Sequence, residues 1–340
     1  MENKEYNKSK VTAPSLAGRA GGESKSSGGE SVIKVGGAVV EDPAQLATLL
    51  DNFAAIPGPK VLVHGGGRTA TALAAQLGIE SRMVGGRRIT DAQTLRVVTM
   101  VYAGLVNKNI VAQLQARGIN ALGLTGADLN IISAHRRPVT PDGTDFGYVG
   151  DVDSADGQRL RQLLELGITP VIAPLTHDGH GNLLNTNADT MAQTIATALA
   201  TPQPNCPLSF VHSQSSSPLN AKPSPLNESP SPLNDKPSTL NESPSAQPNF
   251  PFSIFNFQFF PPTLTFCFEL PGVLRDPADP TTLIPRITEA QLPALIADGT
   301  VSGGMIPKLQ NAFAALHAGV ATVRITNIHN LTAGTLLALE

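Results

Sequence analysis

The sequence predicts an α/β protein in which helices cover both faces of a mostly parallel sheet. Short apolar runs typical of buried strands alternate with apolar periodicities of helical spacing along most of the chain. Two of these runs, 31–36 and 61–63, lead into glycines, and a helical periodicity follows the second. A strand, a glycine turn and a helix in this order are typical of parallel sheets that bind a ligand at the carboxyl ends of their strands.

Length and composition exclude several classes of protein. A chain of 340 residues is long enough for one large α/β domain or two smaller ones, and its net charge of −3 gives no basic footprint for nucleic acid. No apolar run approaches the roughly 20 residues that span a bilayer, and residues 1–30 lack the apolar segment of a secretory signal. Cys206 and Cys267 are too few for a disulfide framework. We expect a cytoplasmic protein with small-molecule substrates, no nucleic-acid partner and no membrane partner.

Local signals predict the elements of the first 200 residues. Residues 1–30 are rich in Ser, Gly, Lys and Glu without amphipathic period, which favours a disordered tail. Asp42 and Asn187 are typical helix N-caps, and residues 90–93 (TDAQ) form a capping-box pattern. The elements expected are strands at 31–36, 61–63, 119–124 and 169–173, hairpins at 81–89, at 146–150 and around 178–179, and helices after 42, after 67, over 91–118, over 154–166 and after 187.

Residues 201–262 differ in composition from the rest of the chain. They hold 14 of its 28 prolines and 7 of its 12 phenylalanines, and four heptapeptide repeats begin at Ser217. A proline in every repeat excludes a coiled coil, and one leucine in each repeat cannot build a core. We therefore predict a disordered, low-complexity insert. Beyond it we expect strands at 264–268, 320–325 and 335–338 and helices at 289–297 and 305–317.

The residues themselves predict a phosphate site. Glycines after two strands allow backbone N–H groups to approach an oxyanion, and a helix N-terminus adds partial positive charge. Lys34 lies inside an apolar strand, where a lysine is costly unless an anion meets it. Taken alone, each of these features has a simpler explanation. Each glycine turn could equally well be a tight turn without a ligand, and Lys308 could be an exposed lysine on a helix. Asp189 could be an acidic residue that interacts favourably with the positive end of the helix dipole.

Five short segments, in order along the chain, narrow the prediction. They are 34–37 (KVGG), 64–67 (HGGG), 88–91 (RITD), 185–189 (NTNAD) and 302–308 (SGGMIPK). Together they resemble the acetylglutamate kinases, amino-acid kinase family enzymes of arginine biosynthesis. The resemblance implies a three-layer α/β/α sandwich around an open, mostly parallel sheet. It implies an N-terminal lobe (31–200) for the acyl amino acid and the phosphoryl group and a C-terminal lobe (263–340) for ATP.

The resemblance also implies a reaction and the residues that perform it. The γ-phosphoryl group of ATP would pass to the side-chain carboxylate of N-acetyl-L-glutamate, giving N-acetylglutamyl 5-phosphate. Lys34 and Lys308 would contact the phosphoryl group, and Asp189 would orient both lysines. The implied binding residues are Gly36 and Gly37 for phosphate, Gly65 and Gly66 as further backbone donors, Arg88 for a substrate carboxylate and Asn185 for the substrate's α-substituents. Mg²⁺ would arrive with ATP, because no carboxylate cluster forms a dedicated cage.

Two departures leave alternatives open. The insert lies between the helix after 187 and the strand at 264–268, which the family connects by only a few residues. An inactive homologue is therefore one alternative. Arg87 stands where relatives usually carry an apolar residue, so N-succinyl-L-glutamate is an alternative substrate. A dinucleotide-binding oxidoreductase fits poorly, because neither glycine segment reads Gly-x-Gly-x-x-Gly with an acid about 20 residues on. The helix at 91–118 resembles the element through which these kinases pair, so a homodimer is expected. Residues 1–30 show no amphipathic helix of the kind that links dimers into hexamers in arginine-inhibited relatives.

Overall fold

The computed structural model describes residues 29–201 and 260–340 of the chain. The predictions of a disordered tail at 1–30 and a disordered insert at 201–262 fall almost entirely outside these residues.

An eight-stranded sheet runs through the described part of the chain, in the order β12-β14-β13-β11-β1-β2-β8-β5. Every neighbouring pair is parallel except β13 and β14, which confirms the predicted open, mostly parallel sheet. The prediction missed β12. The strands are β1 (Ser31–Val35), β2 (Lys60–His64), β5 (Ala121–Thr125), β8 (Thr169–Ala173), β11 (Thr263–Phe268), β12 (Arg286–Thr288), β13 (Thr322–Asn327) and β14 (Thr335–Ala338).

Strand β1 lies at the centre of the sheet and sends alternate side chains into two cores. Val32 belongs to one core cluster and Ile33 to the other, as the two-residue period of a strand requires. Lys34 therefore shares the face of Val32. Because β1 pairs in parallel with both β2 and β11, the carboxyl ends of these three strands lie side by side at one edge. This arrangement brings the two glycine segments together.

Helices cover both faces of the sheet, which gives the predicted three-layer sandwich. In chain order, the last four described helices pack on the face of Val32, and the first five pack on the face of Ile33. The helices are α1 (Gly37–Glu41), α2 (Pro43–Ala55), α3 (Gly67–Gln76), α4 (Ala92–Thr99), α5 (Asn107–Ala116), α6 (Gly157–Glu165), α7 (Ala188–Ala200), α8 (Leu292–Ala297) and α9 (Met305–His317).

Helices α4 and α5 form one long helical run through a π-helical segment, Met100–Val106. Asp91 caps this run by accepting a hydrogen bond from the Thr94 N–H at 2.7 Å, so the capping residue is Asp91 rather than the Thr90 that the sequence pattern favoured. By length and composition, the run of 25 residues could cross a membrane, although charged residues such as Arg96 and Lys108 interrupt its apolar sequence. Its apolar window is 44% buried inside the protein, as is typical of a helix that packs along a sheet.

Six further strands complete the described fold. β3 (Met83–Val84) and β4 (Arg87–Arg88) form the hairpin predicted at 81–89. Four others, β6 (Ile132–Arg136), β7 (Val149–Ala155), β9 (Leu175–His177) and β10 (Leu183–Thr186), close into a small barrel. The predicted turn at 178–179 joins β9 to β10. The hairpin placed at 146–150 is instead the wider β6–β7 pair, and the helix placed at 154–166 begins only at Gly157.

Candidate active site

The two glycine segments approach each other so closely that a side chain on either would press against the backbone of the other. A Cβ atom on Gly65 would lie 3.0 Å from the Gly37 nitrogen, and one on Gly37 would lie 3.4 Å from the Gly66 nitrogen. Gly36 is the N-cap of α1 and Gly66 is the N-cap of α3. Two helix N-termini with their backbone N–H groups therefore meet at the carboxyl ends of β1 and β2, which is an arrangement suited to an anion.

Only some of these glycines keep a free N–H group. The Gly36 N–H donates to the Cys267 carbonyl at 3.0 Å, and the Gly65 N–H donates to the Val35 carbonyl at 3.2 Å. Within 29–201 and 260–340, no acceptor is found for the backbone N–H groups of Gly37, Gly66 and Gly67. Donation to a ligand thus falls to these three, and the sequence analysis had not singled out Gly67. Gly36 and Gly65 contribute the close approach of the two backbones.

His64 fixes the position of the second glycine segment. Asn107 Nδ2 donates to His64 Nε2 at 3.1 Å and to the Val171 carbonyl at 2.8 Å. His64 Nδ1 therefore carries the ring proton and donates it to the Gly65 carbonyl at 2.8 Å. Burial lowers the pKa of His64 to about 4, so the ring is neutral at neutral pH. Both ring nitrogens are occupied, so His64 acts as a structural residue that holds the glycine segment.

We call the space at the ends of β1 and β11 the lysine cavity, about 450 Å³ in volume. Lys34, Gly36, Gly37, Phe268 and Lys308 are among the residues that line it. Lys34 Nζ lies 2.7 Å from Asp189 Oδ1, and both side chains are largely buried. Asn187 caps the helix that carries Asp189, accepting hydrogen bonds from the N–H groups of Asp189 and Thr190.

Lys308 enters the lysine cavity from the first turn of α9. Burial lowers the pKa of its ammonium group, while the Asp189 carboxylate acts in the opposite direction and the Lys34 ammonium adds to the lowering. Two ammonium groups and one carboxylate thus lie close together. This set carries excess positive charge beside the free N–H groups of the glycines, so it can bind a multiply charged anion.

We call the adjoining space the arginine cavity, about 210 Å³ in volume. Arg88 is buried and borders both cavities. Its guanidinium group donates to Ser81 Oγ at 2.8 Å, to the Gly67 carbonyl at 2.9 Å and to Thr71 Oγ1 at 2.7 Å. These bonds hold the guanidinium plane still beside the glycine segment.

Asn185 lies on the wall of the arginine cavity, at the end of β10. Its Nδ2 donates to Thr90 Oγ1 at 2.9 Å, and the same wall continues through Asn187 at the start of α7. Tyr102, from the π-helical segment, lines the cavity from another side. A Cβ atom on Gly66 would lie 3.0 Å from the Tyr102 ring, so any larger residue there would press against the ring. Burial raises the pKa of Tyr102, which keeps its hydroxyl protonated.

The structure brings all the predicted site residues together. Gly65, Gly66, Arg88 and Asn185 border the arginine cavity. Lys34, Gly36, Gly37 and Lys308 border the lysine cavity, and Asp189 is ion-paired to Lys34. The sequence analysis missed Gly67, Tyr102, Asn107 and Phe268. In the part of the chain that the structure describes, no group of three or more His, Cys, Asp or Glu side chains could hold a metal ion.

Comparisons with known proteins agree with this arrangement. The model of the amino acid kinase family matches residues 30–202 and 261–327, and the break between these ranges falls at the insert. The acetylglutamate kinase of Bacteroides thetaiotaomicron is 50% identical over 296 residues, which cover 87% of this chain and 92% of that protein. The acetylglutamate kinase of Methanopyrus kandleri is 35% identical over 305 residues, or 89% of this chain and 97% of that one.

Solved structures show the same fold at low sequence identity. N-acetylglutamate synthase from Neisseria gonorrhoeae, complexed with coenzyme A and N-acetyl-glutamate, matches with a TM-score of 0.63 and 20% identity over 92% of this chain and 60% of that one. Carbamate kinase from Giardia lamblia bound to AMP-PNP matches with a TM-score of 0.54 and 12% identity over 92% and 99%. From the family match and the identity to whole-length relatives, the chain belongs to the amino acid kinase family and, within it, to the acetylglutamate kinases.

Proposed function

We propose that this protein transfers the γ-phosphoryl group of ATP to the side-chain carboxylate of N-acetyl-L-glutamate, giving N-acetylglutamyl 5-phosphate in arginine biosynthesis. The observation that carries the proposal is the junction of the two cavities. Gly67, Met83 and Arg88 border both, so a substrate held by Arg88 can present a carboxylate to the lysine cavity. Relatives named acetylglutamate kinase at 50% identity support the choice of substrate.

The chemistry requires two anions to meet. A carboxylate oxygen of the substrate attacks the γ-phosphorus, the bond from that phosphorus to the bridging oxygen breaks, and ADP leaves with the electron pair. The ammonium groups of Lys34 and Lys308 and the N–H groups of Gly37, Gly66 and Gly67 offset the charge on the transferred oxygens. Because the attacking carboxylate is already ionised, no general base is needed. We assign Asp189 the role of positioning both lysines. Its carboxylate pairs with Lys34 and attracts the ammonium group of Lys308.

We assign the acyl amino acid to the 31–200 lobe and the nucleotide to the 263–340 lobe. Arg88 would bind the α-carboxylate, and Asn185 would bind the acylated nitrogen or its carbonyl. Mg²⁺ would enter as the ATP complex and neutralise phosphate charge, and no described residue is assigned to it as a ligand. The enzyme would act in the cytoplasm.

We also propose that the protein is a homodimer. Met100 and Leu105 on the long helical run are 52% and 62% exposed, and Met83 on the neighbouring hairpin is 55% exposed. Large apolar side chains that are exposed on neighbouring elements are typical of a contact between subunits. Light scattering should give the mass of two chains, and the mass of one or of six chains would contradict the proposal.

The test of the reaction is a hydroxamate assay, which traps the acyl phosphate as it forms. Purified protein with ATP, Mg²⁺ and N-acetyl-L-glutamate should give hydroxamate in proportion to the ADP released. Bicarbonate with ammonia and free L-glutamate serve as comparison acceptors. Turnover confined to another acceptor would contradict the substrate, and no turnover with any acceptor would favour an inactive homologue.

A further inference from the structure

Phe268 ends β11 and carries two ammonium groups over its ring. Lys308 Nζ lies 4.1 Å from the ring centroid, and Lys34 Nζ lies 4.9 Å from it. Both distances fall within the roughly 6 Å over which an aromatic ring attracts a cation. The two lysines come from separate elements, β1 and α9, and the ring is the contact that they share.

The ring is held in place from below. Phe266, two residues earlier on the same face of β11, stacks on Phe268 with centroids 6.4 Å apart and an angle of 4° between the planes. Phe266 is fully buried in the core. On another side, a Cβ atom on Gly36 would lie 3.6 Å from Phe268 Cδ1. Phe268 itself is half-buried and lines the lysine cavity, so its remaining surface is available to the ammonium groups.

The site needs such a contact because its charges do not balance. Asp189 lies 2.7 Å from Lys34, but in the described ranges no carboxylate or carbonyl accepts a hydrogen bond from Lys308 Nζ. An acceptor at that point would occupy an N–H group of the lysine. An aromatic face instead attracts the cation through its quadrupole and leaves the N–H groups free for a ligand.

We propose that Phe268 is a positioning residue that holds the ammonium groups of Lys34 and Lys308 over one ring, protonated and with their donors directed at the transferred phosphoryl group. This rests on the proposed role of the two lysines in phosphoryl transfer. Phe268 touches neither substrate in this account and acts only through the lysines.

The proposal predicts a separation of kinetic constants. The ring contributes while charge moves onto the transferred oxygens, so its loss lowers kcat more than it raises KM for ATP or for acetylglutamate. It also predicts an earlier loss of activity at high pH. Lys308 faces Lys34 from β1 and Asp189 from α7, and Arg68 and Glu269 line the same cavity. Without the ring, the protonated form of Lys308 is less favoured, so its pKa falls and activity declines at a lower pH.

The experiment compares Phe268→Leu, which removes the ring, with Phe268→Tyr, which keeps it. Phe53→Leu is the matched control, because Lys60 Nζ lies 5.2 Å from the Phe53 ring in a cation–π pair remote from both cavities. We expect Phe268→Leu to lower kcat by about 3- to 30-fold, the range that a cation–π contact gives, and to shift the alkaline limb of kcat to lower pH. Phe268→Tyr should stay within about threefold of the native protein. Phe53→Leu should change thermal stability without moving the pH profile.

A second measurement is independent of turnover. The pKa of Lys308, followed by NMR in protein with labelled lysine side chains and assigned through Lys308→Arg, should fall in Phe268→Leu and hold in Phe268→Tyr. An unchanged Lys308 pKa and an unchanged kcat in Phe268→Leu would overturn the proposal, as would equal losses in the Leu and Tyr variants. Failure of the native protein to phosphorylate acetylglutamate would instead overturn the proposed function and leave this measurement standing.

Discussion

The lysine cavity and the arginine cavity adjoin, yet the protein treats their cations differently. Arg88 is buried and spends its donors on Ser81, Thr71 and the Gly67 carbonyl. Asn185 likewise donates to Thr90. Lys34 lies beside the Asp189 carboxylate, and Lys308 lies over the ring of Phe268. One cavity is therefore fixed by hydrogen bonds before any ligand enters, whereas the other keeps ammonium donors available.

This difference indicates that the arginine cavity serves substrate binding and the lysine cavity serves phosphoryl transfer. A guanidinium group held by three hydrogen bonds suits a substrate carboxylate whose charge does not change during the reaction. Ammonium groups with free donors suit phosphoryl oxygens whose charge rises on the way to the transition state. Substitutions in the lysine cavity should therefore act mainly on kcat, and those in the arginine cavity mainly on KM for the acyl amino acid.

The largest expected effect is the loss of an ammonium group. Lys34→Ala and Lys308→Ala should each lower kcat by roughly 100-fold or more, because a charge that stabilises the transition state is removed from a poorly solvated site. Steady-state kinetics with saturating ATP and acetylglutamate measures this. Lys60→Ala is the control, since Lys60 donates to the Ala54 and Ile56 carbonyls far from the cavities. Near-native kcat in both Lys34→Ala and Lys308→Ala would show that the lysine cavity does not serve phosphoryl transfer.

The next effect concerns the fixed cation. Arg88→Lys keeps the charge but loses the planar fork, so KM for acetylglutamate should rise by about 10- to 100-fold, with a smaller fall in kcat and little change in KM for ATP. Arg136→Lys is a suitable control, because Arg136 is exposed and pairs with Asp145 at the barrel. A fall in kcat with unchanged KM would mean that both cavities serve the chemical step.

A third prediction concerns the glycine segment between the cavities. The folded pKa of His64, about 4, lies below the value near 6.5 expected in the unfolded chain. The unfolded state therefore binds the proton first as pH falls, so the stability that a neutral His64 gives is complete above pH 7 and is lost between about pH 6.5 and 4. The loss should reach about 3 kcal/mol in the free energy of unfolding.

Urea unfolding between pH 7.5 and pH 4.5 tests this. His64→Leu should flatten the pH dependence relative to the native protein while lowering stability at pH 7.5, because Asn107 loses an acceptor. His317→Gln is the control, since His317 is exposed and pairs with Glu289. If the free energy of unfolding depends on pH equally steeply in the native protein and in His64→Leu, protonation of His64 is not the cause of the loss of stability in acid.

The sequence was enough to predict seven of the eight strands of the sheet and most of the candidate site. Strands such as β1 and β2 are built around short apolar runs, and residues such as Asp42 and Asn187 are local capping signals that need no distant partner. The five short segments pointed to Lys34 and Lys308 as site residues because the order of the segments along the chain matches a family. Each of these signals lies within a few consecutive residues, so it can be recognised without knowledge of the tertiary contacts.

What the sequence could not predict depends on distant contacts. Asn107 reaches His64 from 43 residues away, and Asn185 reaches Thr90 from 95 residues away. No local periodicity marks either pair. The glycine donors show the same limit, because the sheet itself takes the N–H groups of Gly36 and Gly65 and leaves Gly37, Gly66 and Gly67. Phe268 looked like one more apolar residue of a strand until two lysines were seen over its ring.

The smallest expected effect concerns Arg87, the cation of the arginine cavity that is not held like Arg88. Arg87 is half-buried and borders the cavity, and burial followed by the charge of Arg137 lowers its pKa, with Asp151 acting in the opposite direction. Positive charge therefore exceeds negative charge where the acyl group would lie. Only an acyl group with its own carboxylate, such as succinyl, can gain from that excess.

We expect Arg87→Leu to lower kcat/KM for N-succinylglutamate by about 3- to 10-fold, the size of a partly solvated ion pair, and to leave the value for N-acetylglutamate within twofold. Asp151→Asn should shift the ratio the opposite way, because it removes the carboxylate that competes for these arginines. If neither variant changes the ratio of the two substrates, Arg87 only faces solvent at the rim, and the two cavities differ in their fixed and free cations alone.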